Sequence, residues 1–191
     1  DLIVIADDIY TAFSYEHPFM PIASLQGMMD RTITINSFSK NFTMTGWRVG
    51  NIIAPDYIIK VIQQINENVV FTAPSISQRA AIHALRNREK FQRQMIEEYR
   101  KRVFYAAERV NKIKGMHVIN PPKGSFYLFI NIKETGLTSE EVSDFILKKA
   151  HILTLPGNAF GSCGEGYIRI ACTVNVDILK EAFDRIEKLI F

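Results

Sequence analysis

The chain opens on DLIVIADDIY, and the run from Leu2 to Ile5 constrains the fold more than any other stretch. Four apolar residues in a row, three of them β-branched, show neither helical spacing nor the alternation of a half-buried strand. Such a run marks a strand covered on both faces, as in the parallel sheets of α/β proteins. A strand of that kind needs neighbours on each side, and the remaining sequence offers few candidates. The run therefore implies that these 191 residues are the C-terminal portion of a longer polypeptide. The lack of a leader ahead of it then excludes no targeting signal.

The later segments fit the same class. TITINSFS at 32–39 reads as a second strand with Ile33 and Ile35 on one face, and RVGNII at 48–53 as a third. Pro55 suits the first turn of a helix, and Ile58, Val61, Ile62 and Ile65 give that helix an apolar stripe. TAPS at 72–75 breaks the chain, helix resumes over 75–85, and a long charged helix covers roughly 89–112. Beyond Lys114 and Gly115 the texture changes. Strands are predicted near 116–120, 125–132, 152–155 and 167–172, with a helix opened by the capping-box pattern Thr138-x-x-Glu141. Asn175 caps a closing helix whose buried face is Ile178, Leu179, Ala182 and Ile186. The expected division is 1–88 as part of an α/β sheet domain, 89–113 as a linking helix, and 114–191 as a small α+β domain.

Charge and composition exclude several classes. A net charge of +3 is too mild to point to nucleic acid or a membrane surface. The basic residues of REKFQRQMIEEYRKR are interleaved with acids at helical spacing, as on a solvated helix face. No apolar run reaches membrane-spanning length. Cys163 and Cys172 match neither zinc nor redox spacing, which points to a reducing compartment and a cytoplasmic location. His17, His83, His117 and His151 show no ligand spacing, so no metal is expected. Cys172 falls on the side of Ile168 and Ile170 and reads as a core thiol.

The chemistry concentrates in ADDIY at 6–10 and SFSKNFTMTGWRVG at 37–50. Asp7 and Tyr10 lie where the first strand ends, and Ser37 and Lys40 where the second ends. In open α/β sheets ligands bind outside the carboxyl ends of strands. Lys40 and Arg48 have no carboxylate between them to pair either charge. An unprotonated lysine amine forms an imine with an aldehyde, an arginine grips phosphate through parallel donors, and a buried aspartate stabilises a protonated ring nitrogen. The set suits a flat ligand carrying an aldehyde, a phenolic oxygen, a ring nitrogen and a phosphate. Blander roles stand beside these: Lys40 as a solvated strand-end lysine, Tyr10 as a core aromatic, Asp8 as a turn residue, and Ser39 as a small packing residue.

These two stretches resemble the signature of the class I/II aminotransferases, pyridoxal-phosphate enzymes of fold type I. The resemblance implies a large-domain sheet with a C-terminal α+β small domain. It implies pyridoxal 5'-phosphate as cofactor, with Lys40 as the Schiff-base lysine, Asp7 as partner of the ring nitrogen and Tyr10 as partner of the phenolic oxygen. Ser37 and Arg48 would then bind phosphate. PGNAFG at 156–161 followed by YIRIA at 167–171 resembles the family's C-terminal region, which implies that Arg169 binds the substrate α-carboxylate. Arg169 alternates with Ile168 and Ile170, so its side chain faces away from theirs.

The implied reaction moves an amino group between an amino acid and a 2-oxo acid, in a homodimer. Other parts of the family's site lie upstream of these motifs, so these residues alone are not expected to turn over substrate. Two other readings use the same scaffold: a carbon–sulfur β-lyase, and an aminotransferase-like sensor domain of a transcription regulator. Dicarboxylate-specific relatives carry an arginine where this chain reads NVVFTAPS, so neutral or aromatic substrates are expected.

Overall fold

The opening apolar run becomes β1 (Val4–Asp7) in a computed structural model that describes residues 2–190. β1 pairs in parallel with β2 (Thr32–Ser37), and β2 pairs antiparallel with β3 (Gly50–Ile53), giving the order β1-β2-β3. Among the described residues β1 is an edge strand bonded to β2 alone. Within this sheet the opening run is uncovered: Leu2 and Ile3 are exposed, and Ile5 is 68% exposed. β2 is also covered differently from its apolar pattern, for Thr32 and Thr34 are buried while Ile33 and Ile35 are half-buried.

Two predicted strands are shorter than expected, for local reasons. β2 stops at Ser37 because the Ser37 hydroxyl accepts the Ser39 N–H at 3.1 Å and caps a short helix, α1 (Phe38–Asn41). The third strand begins at Gly50, since Thr45–Trp47 forms a 3₁₀ turn and Arg48 is left-handed. Pro55 then precedes α2 (Asp56–Val69), which buries none of its residues; Val61 and Ile65 on its apolar stripe are more than half exposed. α3 (Ser75–Arg86) places Ala81 and Ala84 against Phe38, Met44 and Val49 to form the local core.

The chain divides into two compact units, Asp1–Ile96 and Glu97–Phe191, and the boundary falls within the long helix α4 (Arg88–Val110). The last turns of α4 belong to the second unit's interior, with Val103, Ala106 and Val110 fully buried. That unit holds β4 (Tyr127–Asn131), α5 (Ser139–Ala150), β5 (Leu155–Pro156), β6 (Tyr167–Ala171) and α6 (Val176–Ile186). Its sheet is antiparallel in the order β4-β6-β5. One face, built from Leu128, Ile130 and Ile168, is buried, and so are Val142, Ile146 and Ala150 of α5.

The expected caps are present. Thr138 and Glu141 form a reciprocal capping box, and the Asn175 side chain accepts the Ile178 N–H. The buried stripe of α6 is Leu179, Phe183 and Ile186, whereas Ile178 is exposed. The predicted strand near 116–120 amounts to one bridge between His117 and Asn131, and the one near 152–155 to β5 alone. Burial pushes the Cys172 thiol up to about 12, as befits a core thiol. Among the described residues no helix is long and apolar enough to cross a membrane.

Candidate active site

Strand direction decides where the predicted site residues go. β1 and β2 are parallel, so Asp7 and Ser37 close their strands at the same edge of the sheet. β3 runs the other way, so its first residue, Gly50, sits opposite Ser37 at that edge. Arg48 therefore enters the sheet where Asp7 and Ser37 leave it, and Lys40 lies in the helix that starts there. Tyr10 follows three residues after Asp7. Asp7, Ser37, Lys40 and Arg48 thus belong to segments that meet at one sheet edge, the position where open α/β sheets bind ligands.

Close backbone approach makes this possible. A Cβ on Gly50 would lie 2.6 Å from the carbonyl oxygen of Asn36, so only glycine lets β3 begin this near the end of β2. The Phe38 N–H donates to the Val49 carbonyl at 3.3 Å, tying α1 to the same junction. Between them, Thr43 and Arg48 hold positive φ angles of 53° and 50°. Left-handed backbone at a β-branched residue is strained, and such strain gathers at functional loops.

Among the described residues neither Lys40 nor Arg48 makes an ion pair. Lys40 is half-buried and makes no ion pair with any described residue. Arg48 is exposed, and its Nη1 donates to the Thr45 carbonyl at 2.8 Å, the one side-chain bond it makes among the described residues. Asp7 is exposed. Asp8 beside it is not: its Oδ2 is buried without a hydrogen-bond partner, and burial, then the charge of Asp7, raise its carboxyl above the ordinary value. Tyr10 is half-buried, with its ring edge-on to the buried Phe13 at 6.4 Å.

Asn41 is a member of this arrangement that its sequence context does not reveal. It is buried, its Oδ1 accepts the Ala12 N–H at 3.1 Å, and its Nδ2 donates to Thr11 Oγ1 at 2.9 Å. Its own carbonyl accepts from Gln92 Nε2 at 3.3 Å. Asn41 therefore ties the segment just after Tyr10 to the residue just after Lys40. No sequence signal reports such a bond across some thirty residues; the nearest hint is a polar residue amid Phe38, Phe42 and Met44.

Arg169 lies in the second unit, in the middle of β6. Its direct cross-strand neighbours are Phe129 on β4 and Leu155 on β5. As the alternation predicts, it faces away from the buried Ile168. It has no hydrogen-bond or ion-pair partner among the described residues, and its guanidinium rests on the rings of Tyr127 and Phe160.

The model of the family "Aminotransferase class I and II" matches residues 1–186. The chain belongs to that family. It is 42% identical to an aspartate aminotransferase of Pyrococcus abyssi and 40% identical to an aromatic-amino-acid aminotransferase of Thermococcus litoralis, in each case over 100% of this chain and 49% of the relative. A crystal structure of an aromatic aminotransferase from Pyrococcus horikoshii superposes with a TM-score of 0.93 at 41% identity, covering 98% of this chain and 51% of that one. The fold is thus the fold-type-I α/β fold, and the chain spans about half the length of the relatives it matches.

Proposed function

We propose that the protein is a pyridoxal-phosphate-dependent aminotransferase that moves an amino group between an amino acid and a 2-oxo acid. The observation that carries this reading is the meeting of Asp7, Ser37, Lys40 and Arg48 at one sheet edge, with neither cation paired to a carboxylate among the described residues. The donor set fits the cofactor. It offers an amine for the aldehyde, a guanidinium and a hydroxyl for the phosphate, an acid for the ring nitrogen and a phenol for the ring oxygen. When bound, pyridoxal phosphate supplies an aldehyde carbon and a ring that takes up the electrons left as the substrate's α-proton departs.

The chain's own groups do the rest. Lys40 Nζ is the group that would bind the aldehyde, and its free amine would take and return the substrate's α-proton as general base and acid. Arg48 and Ser37 would anchor the phosphate. Asp7 would stabilise the protonated ring nitrogen, and Tyr10 would donate to the ring oxygen. Arg169 takes the substrate carboxylate, so that the bond to be broken is presented in one orientation.

The same proposal places this chain as the C-terminal portion of such an enzyme, on the order of its motifs. Residues 1–88 would be part of the large cofactor-binding domain and 114–191 its small domain. It further takes the whole protein to be a cytoplasmic homodimer. Substrates with neutral or aromatic side chains are favoured, because the segment 68–75 carries no arginine and exposes Val69, Val70 and Phe71.

The test is an assay of the full-length protein with pyridoxal phosphate, an aromatic amino acid and 2-oxoglutarate. Formation of glutamate and the aromatic oxo-acid is expected. Release of pyruvate and a thiol from a cystathionine-like substrate, with no transfer to the oxo-acid, would make it a β-lyase instead.

A further inference from the structure

The arginines of the second unit are held in two different ways. Arg109 is gripped by Asp184 at 2.6 Å and Glu187 at 2.7 Å. Arg102 is held by Glu98 at 3.0 Å and donates to the Thr173 carbonyl at 2.8 Å. Among the described residues Arg169 has neither kind of partner. Its guanidinium carbon lies 4.4 Å from the ring centroid of Tyr127 and 4.5 Å from that of Phe160. Aromatic faces attract a guanidinium without engaging its N–H groups as a carboxylate would. The two rings thus restrain Arg169 and leave its planar fork of donors uncommitted.

The rings are themselves anchored. Tyr127 lies 4.5 Å from Phe126, which is buried. Phe160 meets Phe129 edge-on at 6.1 Å, and Phe129 stacks on Tyr167 at 4.9 Å with the planes only 7° apart. The turn that carries Phe160 is locked as well, because a Cβ on Gly157 would fall 2.0 Å from the Gly164 carbonyl oxygen.

We infer that Tyr127 and Phe160 are positioning residues for the substrate carboxylate: they hold the Arg169 guanidinium ready to take it through two parallel N–H bonds. The inference rests on the reading of Arg169 as the carboxylate ligand. Its physical basis is pre-organisation, since a long side chain already ordered loses less freedom when the ligand arrives. Bidentate geometry then gives one orientation of the carboxylate. A lysine at 169 would keep the charge and lose both the ring contacts of a planar group and the fork.

The experiment uses the full-length protein and two probes in calorimetric titration, 3-phenylpropionate and the matching alcohol 3-phenylpropan-1-ol. Phe160→Leu and Tyr127→Leu are each expected to weaken the acid by about three- to fivefold, the cost of ordering one long side chain on binding. Phe160→Tyr and Tyr127→Phe keep the rings and are expected to retain the affinity. The alcohol binds all variants alike. In turnover, KM for the amino acid rises by the same factor with kcat held, as for an interaction made equally in ground and transition states. Phe160 is 51% exposed, so its replacement opens no core.

Unchanged binding of the acid to both leucine variants would overturn the inference. So would an equal loss for the alcohol, which would make the rings mere pocket walls, or a loss in Tyr127→Phe as large as in Tyr127→Leu. Arg169→Leu separates the layers. If it abolishes binding of the acid while the ring variants do nothing, the positioning role fails and the carboxylate role stands. If it leaves binding intact, the carboxylate role fails first.

Discussion

The two units of the chain carry similar β-branched strands and cover them very differently. In the C-terminal unit Leu128, Ile130 and Ile168 are almost wholly buried, as are Val142 and Ile146 of α5. In the N-terminal unit Ile5 and Ile53 are exposed, and α2 buries nothing. The cations differ in the same sense. Arg109 is bonded to Asp184, Glu187 and Tyr105, whereas Lys40 and Arg48 have no carboxylate partner among the described residues. An apolar run thus states a demand for burial, and these residues meet that demand in one unit and not in the other. The predicted cofactor ligands gather at the edge of the less covered sheet.

That contrast is open to direct attack. Ile146→Ala should cost about 2–5 kcal/mol in urea unfolding of the 191-residue chain, as expected for a buried branched aliphatic cut back to alanine. Val61→Ala, on the exposed stripe of α2, should stay within about 0.5 kcal/mol in the 191-residue chain. Equal costs at the two sites would erase the distinction.

Next in size is Arg48→Ala. It should weaken pyridoxal phosphate by about tenfold to a hundredfold in an absorbance titration, the loss of one charged hydrogen-bond partner. Arg102→Ala, which removes an arginine already paired, should leave that affinity unchanged. Smaller is Asn41→Ala, which strips partners from the Ala12 N–H and the Thr11 hydroxyl. About 1–3 kcal/mol of stability should go, read by thermal unfolding. A neutral result would mean that Asn41 does not tie the two loops together.

Much of this architecture is legible in the sequence, and the reasons are local. The capping box at Thr138 and Glu141, the cap at Asn175 and the extent of α4 follow from side chains a few residues apart. The face of Arg169 follows from alternation along one strand. The one-edge gathering of Asp7, Ser37, Lys40 and Arg48 follows from strand ends, once the first two strands are taken as parallel.

The rest depends on partners distant in the chain. Ile178 lies on the same apolar side of α6 as Leu179 by spacing alone, yet Phe183 is buried and Ile178 is not, because what covers a stripe is set elsewhere. The segments near 116–120 and 152–155 have strand-like composition but find only one or two pairing positions. Whether Ile5 is covered is likewise invisible in DLIVIADDIY. Asn41 and the two rings on Arg169 are contacts across about ten to forty residues, and no periodicity encodes them.

The central claim is that Lys40 is the group that holds the cofactor. The full-length protein should be mixed with pyridoxal phosphate, reduced with borohydride and digested, and the modified peptide mapped. The account predicts a pyridoxyl label on Lys40, absent in Lys40→Ala. A label on another lysine, or one that persists in Lys40→Ala, would contradict it.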